Sequence, residues 1–327
     1  MTDETQFAVP THRYLVIGEA LVDRIGNARI PGGAPFNLAR NLALFGETVQ
    51  FISRTGLDTE GELLRGEAIR CGLGTSGIQF DPCVPTGTVD VHVDATGQAA
   101  YRIVEPVAWD HINIESAMSV ASSEAAKFVC YGTLAQRNVV SRDAVRRTVD
   151  AAAAQGTACV LDLNLRDGSE RADIIGWSLE RADIVKVNED ELEVLADRYL
   201  PAGAVSKARH PHGVDVVATQ LRSRLDLDAL IVTRGPLGAM ASLGDDSLVS
   251  VPAQAVDAVG DTVGAGDAFL AVVLLGLSNG WDWYLAMTRA ARFASTVCTF
   301  AGAIPSNSKL HHALRANWQG LDTHQAA

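Results

Sequence analysis

Two glycines and an acid open an almost wholly apolar run of three helical turns, DTVGAGDAFLAVVLLGL, from Asp261 to Leu277. Gly264 and Gly266 free the backbone to turn tightly, so that successive N–H groups can point at an anion where the helix begins. Asp267 would then stand beside a bound phosphate. An acid there is poor for binding phosphate but useful for taking a proton from an attacking hydroxyl. A helix also uses such an acid simply to complement its macrodipole, and this stretch alone leaves both readings open.

Three further stretches carry groups of the same kind. GGAPFNLARNLALFG, Gly32 to Gly46, sets two glycines and a proline before a helical pattern bearing Asn37 and Asn41. Pro35 near the first helical position is ordinary punctuation, and Asn41 reads as a surface or packing residue. On a functional reading, Gly32 and Gly33 let backbone amides approach a polyhydroxylated ligand, with Asn37 donating to and accepting from its hydroxyls. VNEDELEVL, Val187 to Leu195, places Asn188 and Glu191 three apart at a strand-to-helix junction. That spacing is a capping box, and the same groups can hold waters around Mg2+. In LDLNLRDG, Asp162, Asn164 and Arg166 alternate, so all three are expected on one side at the end of a strand, where α/β proteins bind ligands.

Other signals are excluded by context. GLGTSG, Gly72 to Gly77, matches a dinucleotide fingerprint letter for letter but follows a helical pattern and reads as a helix C-cap. None of Lys127, Lys186, Lys207 and Lys309 follows a glycine, so there is no GxxxxGK(S/T) phosphate loop, and the HRD and DFG elements of protein kinases are missing. Any ATP chemistry must take another route, for which GAGD is the candidate. No histidine has metal-like spacing; His111, His311 and His312 are expected to be exposed, and Trp281 and Trp283 to pack at the start of a helix. A formal charge of −12 opposes generic binding to nucleic acid or anionic membrane. Five scattered cysteines without CxxC spacing suit a reducing cytoplasm.

These groups must be positioned by a chain of 327 residues, 47% hydrophobic and 20% charged, with no run resembling a membrane span. Strand patterns at Tyr14–Gly18, Val49–Arg54, KFVCYG, ACVLDLN, DIVKVN and ALIVTRG alternate with helical ones at Pro35–Phe45, Thr59–Arg70 and near Arg142–Gln155, Ser169–Glu180, Asp190–Tyr199 and Val214–Arg224. The alternation predicts an α/β fold with a mainly parallel, doubly wound sheet. Between Val84 and Val107 the period becomes two around DATGQ, as in an antiparallel hairpin. ALVDRIGNARI is a second extended excursion, and the two could pair into a small sheet covering the carboxyl ends of the strands.

Taken together, GEALVD, GGAPFNLARNLALFG, LDLNLR, KVNEDEL, VTRGPLG and DTVGAGDAF occur in the order and spacing of the ribokinase-like, or PfkB-type, sugar kinases, and the chain resembles the fructokinase branch most. The resemblance implies a doubly wound α/β domain over residues 12–318 with lid segments near 20–31 and 84–107, flanked by tails at 1–11 and 319–327. It implies Asp267 as catalytic base and the amides of Gly264, Ala265 and Gly266 as anion hole. Asp23, Gly32, Gly33 and Asn37 would line the sugar, with Asn164, Arg166 and the lid's Arg102 as further contacts. Lys186, Asn188 and Glu191 would lie on the nucleotide and Mg2+ side, as would Thr233, Gly235 and Gly238, and a monovalent cation such as K+ would sit near Asp261 and Val263. One departure is AVDAVGDTVGAGD, where Asp257 stands four residues before Asp261 and competes for the same alignment. The implied protein is a cytoplasmic ATP-dependent hexose kinase, dimeric through its lid, with fructose as the leading substrate. A 2-keto-3-deoxygluconate kinase and a non-catalytic sugar sensor are the alternatives.

Overall fold

Short β-branched runs apolar on both faces need a helical layer on each side. The computed structural model describes residues 13–93, 99–122, 126–166, 170–203, 213–256, 259–305 and 309–325, and of 91–93, 99–102 and 321–325 only the backbone. From the N-terminus, β1 (Arg13–Ile17), β2 (Leu21–Ile25) and β3 (Ala28–Gly32) lead into α1 (Ala34–Leu44), β4 (Thr48–Gly56), α2 (Thr59–Arg70) and β5 (Ile78–Asp81). The hairpin β6 (Gly87–Val93) and β7 (Ala99–Val104) follows, then α3 (Ile114–Ala121), β8 (Phe128–Gly132), α4 (Val139–Ala153), β9 (Ala158–Asp162) and α5 (Ala172–Glu180). After β10 (Ile184–Asn188) come α6 (Glu189–Tyr199), α7 (Gly213–Arg224), β11 (Ala229–Thr233), β12 (Ala239–Leu243) and β13 (Leu248–Val251). The chain ends in α8 (Ala265–Ser278), α9 (Trp283–Val297) and α10 (Lys309–Gln325).

The large sheet has nine strands in the order β13-β12-β11-β10-β9-β8-β1-β4-β5. Neighbours from β11 across to β5 are parallel, and β12 and β13 add an antiparallel edge that strand patterns along the sequence do not reveal. One core layer joins α1, α8 and α9 to the sheet; the other holds the apolar faces of α3 to α7. α8 is buried almost all round, as a helix without a polar face must be.

Both extended excursions are present, and they pair. β2 runs antiparallel to β3 and parallel to β6, and β6 is antiparallel to β7, giving a second sheet of order β3-β2-β6-β7. GLGTSG is a helix end, with Gly72 at φ 75 just after α2. Where a tail was expected from residue 319, α10 continues to Gln325.

One expectation fails at α10. His311 is fully buried, with Nε2 2.9 Å from Asn41 Oδ1 and its ring edge-on to Phe45 and Phe293. His311, Leu314 and Trp318 lie on one face of the helix, and that face docks on α1 and α9. Of the other two, His111 is half-buried and His312 exposed. Asn41 donates through Nδ2 to the Asn37 carbonyl at 3.0 Å, so its Oδ1 must accept the Nε2–H of His311, leaving Nδ1 bare and without a partner among the described residues. Burial, with His312 and Arg70 nearby, lowers the His311 pKa to about 4. Between pH 6.5 and 4 the unfolded chain takes up a proton the folded ring refuses, so this site loses stability as pH falls, by about 3 kcal/mol across the window. Urea unfolding at pH 7 and pH 4.5 should show a smaller acid loss for His311→Leu than for the parent, whatever the variant's starting stability. An equal loss would contradict the assignment.

Candidate active site

Successive strands leave β1 in opposite directions, β4 and β5 to one side and β8 to β11 to the other. The segments after β1 and β8 diverge there, opening a crevice at the carboxyl edge of the sheet. A cavity of about 10 Å3 lies at this divergence, lined among others by Glu19, Pro35, Thr133, Asp162, Asn164 and Leu270. It has room for one water molecule.

The head of α8 faces the same edge. Gly264 is its N-cap, at φ 77, and a side chain there would collide with Ala303. Of the neighbouring amides, Ala265 N–H reaches the Thr262 carbonyl at 3.3 Å, while those of Gly264, Gly266 and Asp267 have no acceptor among the described residues. Of the three amides named from the sequence, those of Gly264 and Gly266 are open, as is that of Asp267, while Ala265 N–H is engaged within the turn. Lys186 closes the far side, its Nζ only 2.9 Å from where a Cβ on Gly266 would stand.

Sheet register explains the charges. Lys186 on β10 is the direct neighbour of Asp162 on β9, and its Nζ donates to both carboxylate oxygens at 2.9 and 3.0 Å in a buried ion pair. Burial would push the ammonium down, but Asp162, Asp267 and Glu191 outweigh it and hold Lys186 above its ordinary value. Asp267 is 8% exposed, and burial together with the Asp162 charge raises its pKa to about 6, against the opposing pull of Lys186, Asn37 and Arg166. Glu19 is buried with one carboxylate oxygen unpartnered among the described residues, and burial pushes it up to about 7.

On the α1 side, Asn37 Nδ2 donates to Asp267 Oδ2 at 2.8 Å. Its Oδ1 accepts from Arg40, which leaves one Nδ2 hydrogen and one Oδ1 lone pair of Asn37 for further bonds. Asp23 is raised to about 6 by burial and by Asp261, opposed by Arg40 and Arg166. Its Oδ2 lies 2.5 Å from where a Cβ on Gly32 would be, and a Cβ on Gly33, at φ 104, would meet the Glu19 carbonyl at 2.6 Å. At Gly33 the clash is with backbone and the φ is left-handed, so glycine is required there, whereas at Gly32 a side chain would have to displace the Asp23 carboxylate.

On the other side, Asn188 and Glu191 form the full capping box. Asn188 Oδ1 accepts from Glu191 N at 2.8 Å, Glu191 Oε2 from Asn188 N at 2.9 Å, and Glu191 Oε1 from Leu165 N at 2.8 Å. Thr233 ends β11 with its hydroxyl on the Val187 carbonyl, and Gly235 and Gly238 bracket a single 3-10 turn. Asp261 folds its own loop, accepting from the amides of Val263 at 3.0 Å and Gly302 at 3.2 Å.

The alternation expected of Asp162, Asn164 and Arg166 does not hold. β9 stops at Asp162, Asn164 turns to φ 38, and Arg166 is exposed. Arg166 still acts electrostatically on Glu19, Asp23 and Asp267. Arg102 sits on β7 opposite Asp90, its side chain outside the described residues, as is Asp257. Sequence reasoning missed Glu19 and Arg40, although both lie inside the quoted motifs GEALVD and GGAPFNLARNLALFG.

The sequence profile of the pfkB family carbohydrate kinases matches residues 12–310. This chain belongs to that family. It is 30% identical to a fructokinase of Vibrio alginolyticus over 82% of this chain and 85% of that one. Against the "Probable fructokinase-6, chloroplastic" of Arabidopsis thaliana it is 30% identical over 80% of this chain and 66% of the plant protein. Among solved structures, a fructokinase of Vibrio cholerae O395 bound to fructose, ADP and calcium ion superposes with a TM-score of 0.75 at 25% identity, covering 93% of this chain and 99% of that one. A double mutant of that fructokinase bound to fructose, ADP and potassium ion gives 0.76 at 24% identity over 93% and 98%. The protein is thus a carbohydrate kinase of fructokinase-like type, on the fold that the motif order implies.

Gly264→Ala puts a β-carbon into left-handed backbone against Ala303. It should cost about 2 kcal/mol or more in denaturant unfolding and disorder the head of α8. Parental stability in this variant would show that the turn is not constrained.

Proposed function

We propose that the protein transfers the terminal phosphoryl group of ATP to the terminal hydroxyl of a free hexose, with fructose preferred, and that Asp267 is the catalytic base. The supporting observation is the 2.8 Å bond from Asn37 Nδ2 to Asp267 Oδ2, which joins the sugar-side helix to the acid beside the open amides of α8. A hydroxyl reaching Asp267 between these groups would face a phosphoryl group held at the helix N-terminus.

A sugar hydroxyl is far too weak an acid for a carboxylate of pKa about 6 to deprotonate before phosphoryl transfer begins. In a loose transition state the proton leaves late, so Asp267 first orients the hydroxyl and then accepts the proton. Charge on the equatorial oxygens is met by the Gly264, Gly266 and Asp267 amides and by Lys186, while Ala265 completes the turn. Mg2+ supplies neutralisation of the nucleotide phosphates when bound. Both Glu191 oxygens already accept backbone bonds, so Asn188 and Glu191 fit an ion only through its waters. Lys186, Thr233, Gly235 and Gly238 form the nucleotide side of this reading, and carbonyls near Asp261 and Val263 the K+ site. The β2–β3 and β6–β7 sheet would act as a lid that keeps water from the phosphoryl group. In a cytoplasmic dimer it would also cover Ile25, which is 41% exposed.

Substrate charge separates the alternatives. Glu19, Asp23, Asp162 and Asp267 make the crevice acid-rich, which favours a neutral ketohexose over a sugar acid. Incubation with Mg-ATP and fructose, 2-keto-3-deoxygluconate, ribose or adenosine should release ADP fastest with fructose. Preference for the sugar acid would reassign the substrate, and no ADP with any would favour the sensor.

Asp267→Asn should lower turnover by about two to four powers of ten. The same variant should be more stable. A carboxyl whose folded pKa is raised from 3.8 to about 6 destabilises the fold progressively as pH rises through that window, and fully above it. At pH 8 the gain is on the order of 2–3 kcal/mol in thermal or urea unfolding. For the parent enzyme, kcat/KM should fall below an apparent pKa near 6 as the base becomes protonated. A flat profile from pH 5 to 8 would exclude Asp267 as the titrating base.

A further inference from the structure

Arg40 is a buried charge with no evident reason to be charged. It lies one turn after Asn37 on α1 and is 2% exposed, at a position where an apolar side chain would satisfy the helix. Its guanidinium reaches three elements. Nη1 donates to Glu67 on α2 at 2.9 Å, and Nη2 donates to the Pro31 carbonyl on β3 at 2.9 Å and to Asn37 Oδ1, with the group 4.6 Å above the Phe36 ring. Nε is buried without a partner among the described residues, so the site is not an optimised ion pair. Burying such a group costs several kcal/mol unless its bonds are complete, and hydrophobic replacements are often neutral or stabilising.

What the charge accomplishes is orientation. A primary amide presents donor and acceptor at nearly the same position, and its direction is set by its partners. Arg40 has no acceptor lone pair, so only Oδ1 of Asn37 can face it, and Nδ2 is thereby aimed at Asp267. Asn41 Nδ2 holds the Asn37 carbonyl at 3.0 Å and fixes the backbone of the same residue.

We propose that Arg40 is a positioning residue for phosphoryl transfer, which locks the Asn37 carboxamide toward the Asp267 carboxylate and, through the Pro31 carbonyl, ties that orientation to strand β3 of the small sheet. The proposal rests on Asp267 being the base. Groups that also bear on Asp267 are Asp162 from β9, Lys186 from β10, Arg166 from the segment after β9 and Glu19 after β1. Arg40 itself is faced by Glu67, Arg70 and Cys71, and it also acts on Asp23 of β2.

The test compares the full chain, Arg40→Lys, Asn37→Ala and the double variant. The Asp267 carboxyl is titrated by 13C NMR, and kinetics are measured with fructose and Mg-ATP from pH 5 to 9. Lysine keeps the charge but lacks the fork that spans Pro31 and Asn37. Arg40→Lys should raise the Asp267 titration, because the Asn37 donor that lowers it is released, and should move the acid limb of kcat/KM upward. It should reduce kcat by about 10- to 100-fold, the scale of a modest misplacement, with KM for ATP within twofold of the parent. In the Asn37→Ala background the same change should cost less than threefold in kcat. An unmoved titration with kcat within threefold of the parent, or an undiminished penalty in the Asn37→Ala background, would reduce Arg40 to a packing residue. Titration requires no turnover, so a parent inactive on every sugar would reject the kinase reading while still deciding whether Arg40 orients Asn37. Should Arg40→Lys fail to fold, Glu67→Gln loosens the guanidinium from outside the crevice and should shift the titration the same way. An unchanged titration there would equally overturn the proposal.

Discussion

A carboxylate almost withdrawn from water at the head of an apolar helix is the constraint around which this molecule is arranged. Asp267 cannot be left alone there: an isolated buried charge would either neutralise or unfold its surroundings. Its surroundings share the charge instead, with Asn37 donating from α1 and Lys186 standing behind Gly266, itself balanced by Asp162 across one strand register. Shifting β9 against β10 by one residue would turn one member of that pair to the other face of the sheet. The fold therefore fixes the protonation of the site, and not merely its shape.

That arrangement also explains how a chain of net charge −12 can handle phosphate. Long-range attraction is not available to it, so in the proposed mechanism affinity is local, from backbone dipoles and one desolvated lysine. On that proposal, a crevice with a local anion site and an otherwise acidic lining suits a phosphoryl group at one point and neutral hydroxyls elsewhere. In this account the small sheet serves the same end by excluding solvent, which strengthens each of those few interactions.

The sequence was readable where a residue's type restricts its geometry and silent where only the packing partner decides. Glycines 264 and 266 before an apolar run could be read as a tight turn opening a helix, and Asn188 with Glu191 as a cap, because local chemistry fixes both. The period-two stretches were legible as extended chain, yet the parallel pairing of β2 with β6 is a long-range event with no local mark. The continuation of alternation past Asp162 failed because Asn164 takes a left-handed turn, which a strand pattern does not foresee. His311 was misjudged because the two adjacent histidines of α10 differ only in which faces α1, though its spacing with Leu314 and Trp318 would have indicated the buried one. Glu19 and Arg40 were hidden for a related reason: their chemistry comes from neighbours distant in the chain.

In the proposed mechanism the open amides at the head of α8 grip the transferring phosphoryl group while Asp267 faces the accepting hydroxyl. A crystal structure with fructose, Mg-ADP and a fluoroaluminate mimic of the phosphoryl group tests both halves at once. The expected result has the mimic within hydrogen-bond distance of the Gly264 and Gly266 amides and the terminal sugar hydroxyl against the Asp267 carboxylate. A mimic bound elsewhere with those amides unengaged, or a sugar whose hydroxyls do not approach Asp267, would contradict it.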